Sequence, residues 1–207
     1  METLRIAYLH GFNSGPASIK GRQLGDAIAA LPEAIRPEYF LPQLSHRPAE
    51  AIRTARRWAD AGDRDQLTFV GSSLGGFYAT HLAEAYGASA VLINPAVHPD
   101  RDLAPYVGAQ RNPYTGEEYE LTSGHFAELS AFEVARIARP QRYLLLVQTG
   151  DEVLDYRVAV AFCAGAWQFV QGGGDHAFQD FPAQIPVILR FAGVDPAAVE
   201  RRYTRSA

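Results

Sequence analysis

Three residues that are far apart in the chain, Ser73, Asp151 and His176, have side chains that can together activate an oxygen nucleophile. A serine hydroxyl is a weak nucleophile until a neighbouring base takes its proton, and that base needs a third group to fix its tautomer. Ser73 is the central residue of Gly-Ser-Ser-Leu-Gly, a match to the pattern G-x-S-x-G. The chemistry that this trio would support is acyl transfer through a covalent serine intermediate.

The segments on either side of Ser73 give the motif a structural context. The apolar run Gln66–Gly71 predicts a buried strand, and Gly76–Tyr86 predicts a helix. Strand, sharp turn and helix form the setting in which G-x-S-x-G acts as a nucleophile elbow. The glycines of the motif allow backbone, strand and helix to approach closely. We therefore expect Ser73 on a tight turn, with its hydroxyl above the sheet as the nucleophile.

Six histidines could supply the base. His176 follows the last predicted strand in a glycine-rich loop, so its ring can reach over the elbow. His81 lies in the helix after Ser73 and should point away from its own turn. Three others fall in connecting segments, where a solvated ring is the ordinary outcome: His46, His98 and His125. These positions favour His176 as the base.

The acid that orients the base has several candidates after the fifth predicted strand. Asp151 lies at the end of that strand, where a carboxylate can reach the final loop. Glu152 is its neighbour, and Asp155 precedes a helix and is well placed to cap it. Asp175 is expected to shape the histidine loop. Asp151 is favoured over Asp155, which stays open as an alternative. The resulting chain order of serine, acid and histidine is the order found in α/β-hydrolases.

Acyl transfer also needs two N–H donors for the oxyanion. The backbone N–H of Leu74, directly after the nucleophile and at a helix N-terminus, is one predicted donor. The other is the N–H of Phe12 in the loop after the first strand. An ordinary strand-ending turn at His10–Gly11 is the alternative interpretation of that loop.

The order of elements predicts the fold that must bring these residues together. Strands alternate with helices, which indicates a mostly parallel α/β sheet of about six strands with helices on both faces. Each candidate residue follows a strand's carboxyl end, where such sheets bind ligands. The predicted strands are Leu4–Leu9, Tyr39–Leu41, Gln66–Gly71, Ala90–Ile93, Tyr143–Gln148 and Trp167–Val170. The predicted helices are Ser18–Leu31, Pro48–Ala61, Gly76–Tyr86, Tyr156–Ala164 and Phe181–Phe191, and Pro186 must lie in the first turn of the last one or kink it.

The alternation lapses at residues 95–131, which hold several prolines, glycines and tyrosines. A connection of this length in a compact domain is usually a functional lid or cap. Three of its tyrosines either line a substrate pocket or pack the cap onto the sheet, and both readings stay open: Tyr106, Tyr114 and Tyr119.

Composition limits the classes of function. A chain of 207 residues with net charge −4 is expected to form a single domain over residues 1–207, with no electrostatic support for nucleic-acid binding. Neither a signal peptide nor a membrane-spanning run is expected, so the predicted location is cytoplasmic. The basic segment at residues 201–205 is expected to be solvated. Cys163 is the one cysteine, and no set of residues has metal-ligand spacing.

Six motifs carry a family resemblance: LHGFNS, GSSLGGFYAT, INPAV, NPYTG, TGDEVLDYR and GGDHAF. Together, from about Leu9 to Phe191, they resemble the YqiA/YcfP-like small bacterial esterases of the α/β-hydrolase fold. The resemblance implies esterase activity on short acyl esters and no cofactor. The family's nucleophile, acid and base motifs fall on Ser73, Asp151 and His176.

These observations predict a serine carboxylesterase acting on a small-molecule ester. The polar cap favours short, soluble esters over long-chain lipids. A thioesterase or acyltransferase would use the same trio, and a binding module with an inactive trio is the alternative from another class. The dinucleotide-binding alternative is rejected because the loop after the first strand is HGFNSGP, not G-x-G-x-x-G. The oligomeric state is left undetermined.

Overall fold

The structure is a computed structural model that describes residues 3–195. Within that range eight strands form: β1 (Arg5–Leu9), β2 (Glu38–Phe40), β3 (Leu67–Ser72), β4 (Ser89–Ile93), β5 (Gly108–Arg111), β6 (Glu118–Leu121), β7 (Tyr143–Gln148) and β8 (Trp167–Gln171). Six of them make a parallel sheet in the order β2-β1-β3-β4-β7-β8, and β5 and β6 form a separate antiparallel hairpin. The predicted parallel sheet is confirmed. The basic segment at residues 201–205 lies outside the described residues.

The α-helices of this range are α1 (Ile19–Ala29), α2 (Pro48–Asp60), α3 (Leu74–Tyr86), α4 (Pro99–Asp102), α5 (Ser123–Ser130), α6 (Tyr156–Phe162) and α7 (Ile185–Phe191). The predicted helix Phe181–Phe191 is wrong in its first four residues, Phe181–Gln184, which form a 3-10 helix. Pro186 lies in the first turn of α7, where its missing N–H breaks no helical hydrogen bond. The helix therefore begins next to the proline.

Two apolar layers hold helices against opposite faces of the sheet, because successive strand side chains point to opposite faces. On one face the strands pack against α2, α3 and α6 through a core that includes Leu9, Phe69, Leu92, Leu145, Ile52, Leu82 and Ala159. On the other face they pack against α1 and α7 through a core that includes Tyr8, Val70, Val91, Leu144, Leu24, Ile28 and Ile188. The predicted helices on both faces are confirmed.

The segment 95–131 holds α4, the β5–β6 hairpin and α5. The hairpin is bound to the loop after β1, since the Tyr119 hydroxyl donates to Asn13 Oδ1 at 2.8 Å and Asn112 Nδ2 donates to the Ser14 carbonyl at 2.9 Å. Glu128 of α5 accepts from the Ala49 N–H at the start of α2 at 2.9 Å. The segment is thus attached at the carboxyl edge of the sheet, and its role as a cap stays a prediction.

Among the described residues, no helix has both the length and the apolar character needed to cross a bilayer. Cys163 is buried at the end of α6 and has a free thiol.

Candidate active site

Ser73 lies between β3 and α3 in a strained backbone conformation, with φ 56° and ψ −125°. Non-glycine residues adopt positive φ only when their surroundings enforce it. Here the Ser73 carbonyl accepts hydrogen bonds from the N–H groups of Gly76 at 2.8 Å and Ala96 at 3.1 Å. Its own N–H donates to the Ile93 carbonyl at 3.1 Å. The end of β4 and the first turn of α3 therefore fix the serine at the carboxyl edge of the sheet.

Two glycines of the motif are required by close backbone approach. A Cβ at Gly71 would lie 2.1 Å from the Gly75 carbonyl oxygen, and a Cβ at Gly75 would lie 1.9 Å from the Leu9 carbonyl oxygen. Any side chain at either position would push α3 away from β1 and β3. The glycines thus set the sharp turn that presents Ser73, as the motif predicts.

The three favoured side chains form one hydrogen-bonded series. His176 Nε2 lies 3.1 Å from Ser73 Oγ, and His176 Nδ1 lies 2.9 Å from Asp151 Oδ2. Asp155 is not part of it, because its carboxylate accepts from the Arg157 N–H at 3.0 Å and caps α6. The structure therefore brings together serine, histidine and Asp151, and it places the alternative acid in the capping position that the sequence also suggested.

The Asp151 carboxylate is buried, with a side chain only 2% exposed. Burial raises the pKa of this carboxyl group, but the hydrogen bond to His176 and those from the Leu154 and Val153 N–H groups outweigh it and lower the pKa. An ionised carboxylate accepts from Nδ1–H of the imidazole. That tautomer leaves Nε2 without a proton and ready to accept the hydroxyl proton of Ser73.

Two buried amides that the sequence analysis did not single out hold the histidine loop. Asn94, after β4, donates from Nδ2 to the Asp175 carbonyl at 2.9 Å and accepts from the Gln148 N–H at 3.0 Å. Gln148, at the end of β7, accepts from the Gln179 N–H at 2.8 Å and donates to the Gln179 carbonyl at 2.8 Å. Polar residues at the carboxyl ends of apolar strands are the sequence signal that marks both amides.

The predicted oxyanion donors flank Ser73. Leu74 is the first residue of α3, so its N–H has no acceptor within the helix. Gly11 packs on Ser73, since a Cβ added at Gly11 would lie 3.6 Å from Ser73 Oγ. Phe12 is the next residue. The two N–H groups therefore lie on segments that touch the serine, and their role as donors stays a prediction.

His10 fixes the direction of the Gly11–Phe12 peptide. Its Nε2 accepts from the Leu44 N–H at 3.0 Å, so Nδ1 carries the proton and donates to the Gly11 carbonyl at 3.0 Å. Burial lowers the pKa of His10, which keeps the ring neutral. Carbonyl and N–H of one peptide point in opposite directions, so a fixed Gly11 carbonyl also fixes the Phe12 N–H.

The three cap tyrosines occupy different places. Tyr114 lines a cavity of about 360 Å³ beside the elbow. Tyr119 lines a smaller hollow next to Phe12 and Leu74, where its ring stacks on His46 with centroids 4.2 Å apart. Tyr106 packs against Phe12 at a centroid distance of 5.9 Å. Their role in substrate binding stays a prediction.

His81 lies in α3 and contacts Arg56 and the Phe132 carbonyl instead of Ser73. Within residues 3–195, no group of three or more histidine, cysteine or acidic side chains is arranged to hold a metal ion.

Several solved structures share this architecture. The esterase domain of a Rhodothermus marinus protein aligns with a TM-score of 0.65 and 16% identity over 93% of this chain and 88% of that one. Est1E from Butyrivibrio proteoclasticus, with ferulic acid bound, aligns with a TM-score of 0.65 and 13% identity over 98% and 89%. The Paleococcus ferrophilus monoacylglycerol lipase aligns with a TM-score of 0.66 and 13% identity over 93% and 96%. These similarities confirm the α/β-hydrolase fold.

Sequence similarity identifies the family. The model of an uncharacterised protein family, UPF0227, matches residues 5–193, nearly the whole chain. That range contains all six motifs of the YqiA/YcfP-like resemblance, which is thereby confirmed. The chain, with its Ser73–His176–Asp151 series on an α/β-hydrolase sheet, belongs to the UPF0227 family.

Proposed function

We propose that this protein is a serine hydrolase that cleaves carboxylic esters through an acyl-enzyme intermediate. The observation that carries the proposal is the hydrogen-bonded series in which His176 lies 3.1 Å from the Ser73 hydroxyl and 2.9 Å from the Asp151 carboxylate. This arrangement supplies a nucleophile, its base and the acid that orients the base. The strained elbow at Ser73 supports the same assignment.

In the first half of the reaction, Ser73 Oγ attacks the ester carbonyl carbon while His176 Nε2 takes the hydroxyl proton. The oxyanion that forms lies between the N–H groups of Leu74 and Phe12. Its collapse breaks the bond to the alcohol oxygen, which leaves with the proton from Nε2. Asp151 stabilises the imidazolium during this step. The products are the free alcohol and an acyl ester of Ser73.

In the second half, water enters the site and His176 Nε2 takes one of its protons. The resulting hydroxide attacks the acyl carbon, and collapse of the second tetrahedral intermediate returns the proton to Ser73 Oγ. The carboxylic acid leaves. Every proton transfer passes through one ring nitrogen, which is why the 3.1 Å distance matters most.

Known proteins of the same fold support ester hydrolysis. The similar structures include an esterase domain, a monoacylglycerol lipase and Est1E with ferulic acid. For this chain we propose short, soluble esters, because the cap hairpin exposes polar residues such as Arg111 and Glu118. Rates along a series of para-nitrophenyl esters should fall as the acyl chain lengthens, and a maximum with long chains would reject this part.

The test of the proposed function uses a fluorophosphonate probe, which labels activated serines. Purified protein should be labelled at Ser73, and Ser73→Ala should lose labelling and lower ester hydrolysis by at least about 10⁴-fold. Ser130→Ala is the matched control, because that hydroxyl lies on exposed α5 and bonds only to the Phe126 carbonyl. Labelling or hydrolysis that persists in Ser73→Ala would overturn the proposal. Parallel rates with acyl-CoA thioesters distinguish an esterase from a thioesterase.

A further inference from the structure

A cavity of about 360 Å³ adjoins the Ser73 elbow. Its wall includes Gly11, which packs on Ser73, and also Ser72 and Ala177, the chain neighbours of Ser73 and His176, so the cavity lies beside the candidate nucleophile. The start of α1 and the segment after His176 form much of the rest, and Tyr8, Ser72 and Tyr114 also line the cavity. The volume is at the lower end of the range for small-molecule sites.

The N-terminus of α1 opens on this cavity, since Ser18, Ile19 and Lys20 all line it. The first hydrogen bond of the helix runs from the Arg22 N–H to the Ser18 carbonyl at 3.0 Å. The N–H groups before Arg22 therefore have no acceptor within the helix, and no acidic side chain lies in the first turn. This end of the helix carries partial positive charge that favours an anion.

Ser18 provides a second, independent indication of a ligand. It occupies the N-cap position of α1, yet its side chain makes no capping hydrogen bond. The residue is 8% exposed, and within the described part of the chain its Oγ has no hydrogen-bond partner. A buried hydroxyl without a partner is costly, so a hydrogen bond from this group to a ligand at the start of α1 would remove that cost.

Lys20 contributes a cation to the same cavity. It is the one lysine in a sequence with nineteen lysine and arginine residues. Its Nζ donates to the Ala177 carbonyl at 2.7 Å, which places the ammonium beside the histidine loop. Among residues 3–195 no carboxylate lies within ion-pair distance of it. Burial lowers the Lys20 pKa to about 8, against the opposing effect of Asp175 and Asp151, so the amine is mainly protonated at neutral pH.

The remaining charges around the cavity leave room for an anion. Asp180 lines the rim and is exposed to water, while the Asp175 carboxylate accepts from Gln179 Nε2. His10 is kept neutral by burial, and burial raises the pKa of Tyr8 well above its ordinary value. The cationic groups that face the cavity are thus the Lys20 ammonium and the end of α1.

We propose that this cavity binds an anionic group, a carboxylate or a phosphate, that is carried by the ester cleaved at Ser73. Lys20, Ser18 and the start of α1, whose first N–H groups have no acceptor in the helix, all border this one cavity. Gly11, which packs on Ser73, borders it as well. This substrate assignment rests on the proposed ester hydrolysis, whereas the anion site itself does not.

The first experiment measures binding without catalysis. An amine-reactive ester modifies Lys20, and mass spectrometry reads the rate at that residue. Glutarate and inorganic phosphate, tested separately near neutral pH, should slow the modification in a saturable way. The anion that protects at the lower concentration indicates whether the cavity prefers a carboxylate or a phosphate. Chloride at equal ionic strength is the control. Equal modification rates with and without both anions would overturn the proposal.

The second experiment uses matched ester pairs. One pair is mono-para-nitrophenyl glutarate and its neutral terminal amide, and the other is 4-acetoxyphenyl phosphate and its neutral dimethyl ester. Lys20→Met should lower the ratio of kcat/KM for the anionic ester to that for the neutral ester by about 10- to 100-fold in at least one pair. Arg22→Met, which removes a charge from the exposed side of α1, should leave both ratios unchanged. An unchanged ratio in Lys20→Met for both pairs would overturn the substrate assignment.

Ser18→Ala separates ligand binding from a structural role. Because the hydroxyl makes no capping bond, the variant should keep its midpoint of urea unfolding. Protecting Lys20 from the amine-reactive ester to the same extent should need at least about fivefold more anion. Loss of stability with unchanged protection would contradict the site. If Ser73→Ala kept its hydrolytic activity, only the proposed function would fail, since the protection assay does not use Ser73.

Discussion

At the scale of single residues, the site depends on which acid orients His176. The sequence offered both Asp151 and Asp155 within one loop, and the two differ in what their oxygens accept. Asp151 accepts from the imidazole and from two backbone N–H groups, whereas Asp155 accepts from the first turn of α6. The Asp151 carboxylate is thus bound to the His176 imidazole, and the Asp155 carboxylate is bound to a helix N-terminus.

We predict that Asp151→Asn lowers kcat for ester hydrolysis by about 10³- to 10⁴-fold, because an amide cannot hold the tautomer with a free Nε2. Asp155→Asn is the matched control. Asparagine caps helices about as well as aspartate, so kcat should stay within about twofold. Steady-state rates of the two variants, with circular dichroism to verify folding, provide the measurement. A larger loss in Asp155→Asn would reverse the assignment.

At the scale of elements, the strand–turn–helix unit around Ser73 is built from contacts that exclude side chains. A Cβ added at Gly75 would lie 1.9 Å from the Leu9 carbonyl oxygen, so α3 packs directly on the end of β1. The same contact sets the distance between Ser73 and the Gly11–Phe12 segment. Fold stability and oxyanion geometry thus depend on one close approach.

Gly75→Ala should therefore lower the free energy of unfolding by about 3 kcal/mol or more, since carbonyl and helix backbone must move apart. Gly124→Ala is the control within α5. The atom nearest to a Cβ added at Gly124 is Thr122 Oγ1, at 3.5 Å. The free energy of unfolding should therefore change by no more than about 1 kcal/mol, in the direction of a more stable helix. Urea unfolding measures both variants. A stable Gly75→Ala would contradict the close packing of the elbow.

At the scale of the whole molecule, Arg5 ties together segments that are distant in sequence. From β1 its guanidinium donates to Glu38 Oε2 at 2.7 Å and to the Trp58 carbonyl at 2.7 Å. The same side chain donates to the Ala59 carbonyl at 3.1 Å, and its guanidinium lies over the Trp58 ring at 4.2 Å. β1, β2 and the end of α2 are thereby joined at the edge of the sheet opposite Ser73.

Arg5→Met should lower the free energy of unfolding by about 3 kcal/mol, because several acceptors lose their donor in a buried environment. Arg53→Met removes an arginine that pairs with Glu50 on the exposed side of α2 and should change stability by less than about 1 kcal/mol. Unfolding monitored by tryptophan fluorescence tests the difference. Equal effects of the two substitutions would show that the Arg5 contacts add nothing beyond a surface ion pair.

Local patterns in the sequence were sufficient for the strands of the parallel sheet and the main helices on its faces, and they singled out the three central side chains, but they did not predict the β5–β6 hairpin, α4 or α5. Apolar runs that end in glycine-rich loops predicted β3, β7 and β8 within one or two residues, because burial and turn chemistry are local properties. The G-x-S-x-G motif singled out Ser73, and Asp151 and His176 were singled out because each follows the end of a predicted strand. Pro186 showed where the last helix would be interrupted, although the 3-10 turn before it was missed.

The tertiary structure alone decided the choices that depend on long-range contacts. Only the fold shows that Asp151 bonds to His176, that Asn94 and Gln148 hold the histidine loop, and that the Ser18 hydroxyl lacks a partner. The spacing of residues along the chain does not specify which distant groups come into contact. That is decided by the strand order of the sheet, β2-β1-β3-β4-β7-β8, and by the loops that follow the strands. Residue types thus determined the available chemistry, and the packing of the sheet and its loops determined the hydrogen bonds that can perform it.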